Sequence, residues 1–363
     1  MSAPDLAVVP AFLPHDKVDI LFVFGNEPST GAYKNEVRAR FPELVTALGR
    51  AGTTHPASYH IGIVTADLGA GPYSIGNGQC SPGGERGRLR IAPDAGSIAA
   101  PDCSSFSLGG VRFLDWDQAA GTTNVVGARD LPSAFDCMSS ISSSGCGFQH
   151  PLESSYWALH ENVTDNAGFL RDDALLVVVY VVDEDDCSGS TDDDLFDPSP
   201  QGVARYGTLH SFRCAQFGIT CGDSPMPLAA SAPGGPFDNC RPLTQAEGGK
   251  LIDVQKYIDY FSRPGGVKAD PSDVILMSIA PPPTPFQWWL PMPCPDQPNT
   301  PQCPVLMHSC VSSPANPHLS GNPTVRLSAV VQSAATSQST SSCETSYAPA
   351  LADLAQKIIA RLR

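Results

Sequence analysis

The chain has 363 residues, with 22 basic and 37 acidic side chains and a formal charge of −15. No cluster of Lys or Arg stands out, and without a basic footprint nucleic acid is not an expected partner. Hydrophobic residues at 42%, charged residues at 16%, 35 prolines and 32 glycines describe a folded, loop-rich chain of one or two domains. They exclude collagen, coiled coil and wholesale disorder.

Met1 to Asp16 reads as a tail, and Val18 to Phe24 (VDILFVF) as a short buried strand ending in Gly25. Tyr33, Val37, Phe41, Val45 and Leu48 recur at helical spacing, which predicts a helix over 34–50 with a kink or break at Pro42. Tyr59 to Ala66 reads as a second strand. From Gly69 to Gly127 the pattern dissolves into Gly, Pro and Ser, apart from a short strand candidate at Val111 to Trp116. Helices are expected at Leu131 to Ser139 and Leu152 to Leu159. Ala174 to Val182 (ALLVVVYVV) is the clearest central strand. At nine residues it is far short of the roughly 20 that span a bilayer as a helix, so no transmembrane segment is expected.

Ser188 to Gly249 reads as irregular, with one short helix near 210–217. Leu251, Val254, Ile258 and Phe261 mark a helix, and Val274 to Ala280 another buried strand. Pro281, Pro282, Pro283 and Pro285 then forbid helix or central sheet. Thr324 to Ser333 and Leu351 to Leu362 close the chain as helices. This alternation predicts an α/β fold built on a doubly wound, mostly parallel sheet, with insertions at about 70–128, 188–248 and 282–322.

Twelve cysteines are an even number, and their spacing does not form a zinc ribbon. Most lie in the Pro/Gly/Ser-rich stretches, where a bridge restrains a segment with little core of its own. Pairing by proximity in sequence joins Cys80 to Cys103, Cys137 to Cys146, Cys187 to Cys214, Cys221 to Cys240, Cys294 to Cys303 and Cys310 to Cys343. Six disulfides imply an oxidising, extracytoplasmic compartment. The first twelve residues hold no charged n-region and no apolar h-region, so the expectation is an export signal, or a lipid anchor, removed or lying upstream.

Ligands of open α/β sheets collect outside the carboxyl ends of the strands. Two strand ends draw attention: Gly25-Asn26-Glu27-Pro28-Ser29-Thr30, and Asp183-Glu184-Asp185-Asp186. Read with VDILFV, HIGIVTADLG, GCGFQHPLESS, AGFLRDDALLVVVYVVDEDDCS, SFRCAQFG and the closing SSCETSYAPALADLAQKI, the chain from about residue 17 to 363 resembles the von Willebrand factor A-like secreted proteins and lipoproteins of myxobacteria and their relatives. That resemblance implies a Rossmann-like α/β domain and an adhesion-type binding role. It also implies a metal-ion-dependent adhesion site in which D-x-S-x-S after the first strand, a later Thr and an Asp after the fourth strand hold magnesium.

This chain departs from the motif. Gly25 stands where the leading Asp belongs and Glu27 where the first Ser belongs; Ser29 is retained, Ser144 or Gly145 lies near the Thr region, and Asp183 matches the last Asp. The expected site, Glu27, Ser29 and Asp183, is therefore degenerate and weak for Mg. A separate calcium loop is a candidate at Asp185, Asp186, Asp192, Asp193 and Asp194, an oxygen-rich run without EF-hand spacing; the bland alternative is a solvated anionic face. Asp186-Cys187-Ser188-Gly189-Ser190 satisfies D-x-S-x-S as text but follows the wrong strand. No G-x-S-x-G, H-E-x-x-H, P-loop or G-x-G-x-x-G motif is present, and no histidine is singled out to join Ser29 and Asp183 in a hydrolase. Phe286, Trp288 and Trp289 read as a lid over the core, with an exposed binding patch as the alternative.

The sequence thus predicts a non-catalytic binding module at the cell envelope that presents its strand-end loops to a protein or glycan ligand. The alternatives are a calcium-stabilised structural protein of the envelope and a hydrolase.

Overall fold

In the computed structural model, which describes residues 15–95, 97, 101–190, 194–222, 233–292, 294, 302–312 and 319–362, the apolar runs assemble into one sheet. Its strands are β1 (Lys17–Phe24), β2 (Ser58–Thr65), β3 (Leu114–Asp117), β4 (Thr122–Thr123), β5 (Leu175–Val181), β6 (Val274–Ala280) and β7 (Thr336–Ser341). They lie in the order β7-β6-β5-β1-β2-β3-β4. The strands from β7 to β2 are parallel, and the β3–β4 hairpin adds an antiparallel edge.

Every residue of β5 and β6 is buried. Such strands need cover on both faces, and helices supply it. In chain order these are α1 (Gly31–Ala51), α2 (Leu131–Met138), α3 (Pro151–Tyr156), α4 (Pro200–Tyr206), α5 (Phe212–Gly218), α6 (Gln255–Ser262), α7 (Val325–Ser333) and α8 (Ala348–Ile359). The strand period of two sends Ile20, Phe22 and Phe24 toward α1, α2 and α8, where Phe41 and Phe135 stack at 3.7 Å. Leu21 and Val23 point the other way, onto Leu152 of α3, Tyr257 of α6 and Leu327 of α7. One charge lies inside this apolar layer: Asp19 of β1 accepts from the backbone N–H and guanidinium of Arg171, at 2.7 and 2.8 Å.

Several expectations shift. Helix α1 runs unbroken through Pro42; the 21-residue helix keeps its geometry around it, and the missing N–H removes one bond without ending it. The segment after β2 is not only an insertion, since β3 and β4 pair into the main sheet. Strand β7 was not foreseen because its sequence, TSQSTS, has no apolar residue to carry a period; it is an edge strand held by backbone pairing to β6. Helix α4 lies in a stretch read as irregular.

The two later loop regions are stitched to each other. Phe286–Trp289 pairs with both Gly234–Phe237 and Val305–Leu306 in a small antiparallel sheet, where Phe286 and Trp288 are buried against Phe212 and Phe237. Trp289 remains 47% exposed. The prolines thus keep this stretch out of the central sheet but not out of a peripheral one.

Six disulfides are present: Cys80–Cys146, Cys103–Cys137, Cys187–Cys214, Cys221–Cys240, Cys294–Cys303 and Cys310–Cys343. Four match pairing by proximity, but Cys80–Cys103 and Cys137–Cys146 are exchanged. Cys103 sits in a 3₁₀ turn, Pro101–Ser105, packed on α2, which carries Cys137, whereas Cys80 follows β2 back to the loop after α2, which carries Cys146. Folding overrides sequence distance in both cases. The disulfides fit an oxidising compartment, and no helix of the described residues is long and apolar enough to cross a membrane. Peptide mapping of the unreduced protein is expected to recover the Cys80–Cys146 and Cys103–Cys137 linkages; fragments joining Cys80 to Cys103 would contradict this arrangement.

Candidate functional site

Strand order reverses between β1 and β5: the chain leaves β1 toward β2 on one side and β5 toward β6 on the other. The crevice between their carboxyl ends is the switch point at which doubly wound sheets receive ligands. Gly25 N–H donates to the Val181 carbonyl at 2.9 Å, so the two ends stay paired up to the point where they diverge. Beyond it a 3₁₀ turn, Pro28–Thr30, passes directly into α1, and Thr30 Oγ1 donates to the carbonyls of Gly25 and Glu27 at 3.1 and 2.7 Å. This tight return explains Gly25: a Cβ there would lie 2.6 Å from the Thr30 methyl. The Thr30 and Gln149 side chains fill the space that a side chain at position 25, such as the expected leading Asp, would need.

The turn places Glu27 beside Asp183, both almost fully buried. Burial, reinforced by the charges of Glu184 and Asp183, holds the Glu27 carboxyl well above the usual range. Burial also raises Asp183, against hydrogen bonds from Glu27 and Ser29. Glu27 Oε1 and Asp183 Oδ1 are buried without a hydrogen-bond donor among the described residues. Two acids so placed cannot both ionise unaided; they share a proton or take a cation. The three expected ligands, Glu27, Ser29 and Asp183, are therefore gathered in one place.

Residues that sequence reasoning did not single out complete the surroundings. Lys34, one turn into α1, is 3% exposed, and its Nζ donates to the Ser142 carbonyl and Ser143 Oγ at 3.0 and 3.2 Å. Burial pushes its ammonium down to about 8, opposed by Asp94, Asp183 and Glu27. Its signal in the sequence is position: Lys34 precedes Val37 by three and Phe41 by seven, a cation on the buried stripe of a helix. Asn26 donates to Asp67 Oδ2 at 3.1 Å, and the same oxygen accepts the Cys146 N–H at 3.1 Å. This bridge ties the loop after β2 to the Ser142–Cys146 loop and seats Gly145 on Asn26. Ser143, rather than Ser144 or Gly145, gives the inward hydroxyl, while Ser144 bonds Ser142 on the exposed side. A cleft of about 360 Å³ opens here, lined by Lys34, Asn35, Arg38, Ser97 and Ser142–Ser144.

The acidic run after β5 is engaged by the protein's own donors. Asp185 accepts the backbone N–H groups of Arg326 and Leu327 at 2.9 and 3.0 Å and so caps α7; burial pushes its carboxyl up to about 6. Asp186 and Arg326 form an ion pair at 3.1 Å with both side chains at 0% exposure, and Asp186 also accepts from the Leu152 N–H and Ser188 Oγ. Asp194 bonds Arg205 and Tyr206 at 2.6 and 2.5 Å. The oxygens of Asp185, Asp186 and Asp194 thus face helices and guanidinium groups rather than a common cage, while Asp192 and Asp193 lie outside the described residues. The D-x-S-x-S text at Asp186 is part of the same structure, with Cys187 bridged to Cys214.

Glu27 and Asp183 gather no third carboxylate, imidazole or thiol within 4.8 Å among the described residues. The one group of three that does gather, His210 with Cys294 and Cys303, is closed by its disulfide. His15 bonds Asp273, His60 the Phe169 carbonyl and His308 Asn322, whereas Ser29 bonds Asp183. No family model and no curated protein matches this sequence.

Two measurements follow from this electrostatics. Arg326→Ala leaves Asp186 buried without its counter-charge and is expected to lower unfolding free energy in urea by about 3–5 kcal/mol, whereas Asp186→Asn with Arg326→Met recovers much of the loss. The raised acids also carry a sign. Glu27 and Asp183 hold protons more tightly folded than unfolded, so their contribution is greatest below the unfolded values of about 4 and declines as pH rises. In EDTA, Glu27→Gln should therefore melt above the parent at pH 8 and lose that advantage at pH 4; a difference independent of pH would show that neither acid is perturbed.

Proposed function

We propose that the chain is a non-catalytic, extracytoplasmic binding module of von Willebrand A type that offers the rim between β1 and β5 to a protein or glycan partner. The observation that carries this reading is the Glu27–Asp183 pair: two buried acids, each with an oxygen that lacks a hydrogen-bond donor among the described residues, brought from separate strand ends to the switch point of a doubly wound sheet. Six disulfides favour placement outside the cytoplasm.

Glu27, Ser29 and Asp183 would be the ligands of a Mg or Ca ion. A hydrated divalent ion there would supply positive charge for a carboxylate of the partner. The donor set fits such an ion poorly in one respect: Gly25 removes the leading carboxylate, and the Lys34 ammonium already places positive charge nearby. The site therefore holds an ion weakly, and the rim, rather than the ion, defines the contact surface.

Labelled full-length chain applied to arrays of surface proteins and glycans, with EDTA or millimolar magnesium, tests this reading. Binding should fall at least tenfold, about 1.4 kcal/mol, in Glu27→Ala and Asp183→Ala without loss of the folded far-UV spectrum. Binding that survives both substitutions, or turnover of a bound compound, would overturn it. A melting midpoint raised by magnesium or calcium only in the parent would locate the ion at these two acids.

A further inference from the structure

On the opposite face of the sheet from Lys34, a second cleft of about 250 Å³ opens beside α3, with His150, Trp157, Glu161, Phe196 and Leu68 on its walls. Its shape follows from one irregularity. Helix α3 passes at Trp157–Glu161 into a π turn, closed by the Asn162 N–H on the Trp157 carbonyl at 2.8 Å. The wider turn places Trp157 and Glu161 beside the same opening as His150, which precedes α3. Such turns are rare, and they recur at functional sites.

His150 is 3% exposed, and its Nδ1 is fully buried with no hydrogen bond of ordinary length and angle among the described residues. Its contact is the edge of Phe196, at 5.8 Å. Burial holds the ring below the usual histidine range, against the charges of Asp186, Asp67 and Glu153 and the nearby Ala66 backbone, so the neutral ring offers a donor and an acceptor.

The remaining chemistry is that of a neutral, hydroxylated ring. Glu153 is already engaged by Lys256 Nζ at 2.7 Å, Tyr257 OH at 2.7 Å and Trp157 Nε1 at 2.8 Å, so its charge is compensated and the indole is clamped. Trp157 is half-buried, Phe196 is buried, and Glu161 stands exposed at the rim. A rigid aromatic surface flanked by a neutral imidazole and one carboxylate suits a ring with an apolar face and hydroxyl edges. The cleft is below the roughly 300–1,000 Å³ that encloses larger ligands, which suits a single ring.

We propose that this cleft binds a sugar ring, stacked on Trp157 with its hydroxyls bonded to His150 and Glu161. This assignment is independent of the rim between β1 and β5.

Saturation-transfer NMR of the full chain with the methyl glycosides of glucose, galactose, mannose and N-acetylglucosamine, each at about 10 mM, reads the binding directly. At least one glycoside should show transfer with millimolar half-saturation. Trp157→Leu should weaken it about tenfold, and Glu161→Gln, at an exposed position that leaves folding intact, several-fold. Trp289→Leu, on the peripheral sheet, should leave it unchanged. Absence of transfer to all four glycosides, transfer undiminished in Trp157→Leu and Glu161→Gln, or saturation by choline and by none of the glycosides would overturn the proposal.

Discussion

The carboxyl edge of this sheet depends on a single buried charge. Asp186 follows the central strand β5 and meets Arg326 at the start of α7, with both side chains sealed from water. The same carboxylate receives the first N–H of α3 through Leu152, and Asp185 beside it caps α7. One strand end thereby fixes the entry of two helices on one face of the sheet. An unpaired charge at this depth would cost several kcal/mol, so the elements must arrive together or not at all. The position of His150, directly before α3, is set by this clasp, and so is the cleft that it lines. An acidic run that looks like a cation site in the sequence is, in the folded chain, the internal counter-charge of a helix terminus and an arginine.

The other acidic pair obeys the opposite logic. Asp186 has its partner, whereas Glu27 and Asp183 have each other. Desolvation raises both, and their oxygens that lack a donor among the described residues leave a proton or a cation as the ways to hold them. Packing constrains the choice further. Because the Thr30 side chain packs over Gly25, a carboxylate at position 25 would need that side chain to move, and Lys34 supplies a positive charge from the first turn of α1. A divalent ion would have to compete with an ammonium that cannot diffuse away. Charge balance built partly into the chain lowers the need for an ion while keeping the rim polar and pre-formed.

How much of this is legible in the sequence depends on the range of the interaction. Strands β1, β2, β5 and β6 and helices α1, α7 and α8 announce themselves because an apolar period is local and strong. Strand β7 does not, since TSQSTS has no apolar period and is held by backbone pairing to β6 and by hydrogen bonds of Gln338 and Ser339. The two strand ends that carry Glu27, Ser29 and Asp183 were legible as the ends of apolar runs, but it was the resemblance to von Willebrand A-like proteins that singled out the three residues. The roles of Asp185 and Asp186 were not legible, because their partner lies some 140 residues away at Arg326 and nothing in a run of acids names its counter-charge. Cys80 and Cys103 failed for a related reason: no described strand or helix separates them, yet each pairs with a cysteine further along the chain, because the packing of the loops against α2 rather than their distance in sequence sets the partners.

The two clefts stand at one edge of the sheet but on different faces, and their chemistry diverges accordingly. Beside α1, charge is abundant: Lys34, Asp94, Glu27 and Asp183 influence one another through a low-dielectric interior, so a ligand there is selected by charge. Beside α3, the charges nearest the cleft are already paired, and what remains is an indole, a phenyl edge and a neutral imidazole, so a ligand there is selected by shape and hydroxyl geometry. Function in such a fold resides in the loops at the strand ends, and the disulfides keep those long loops in place where their own cores are small.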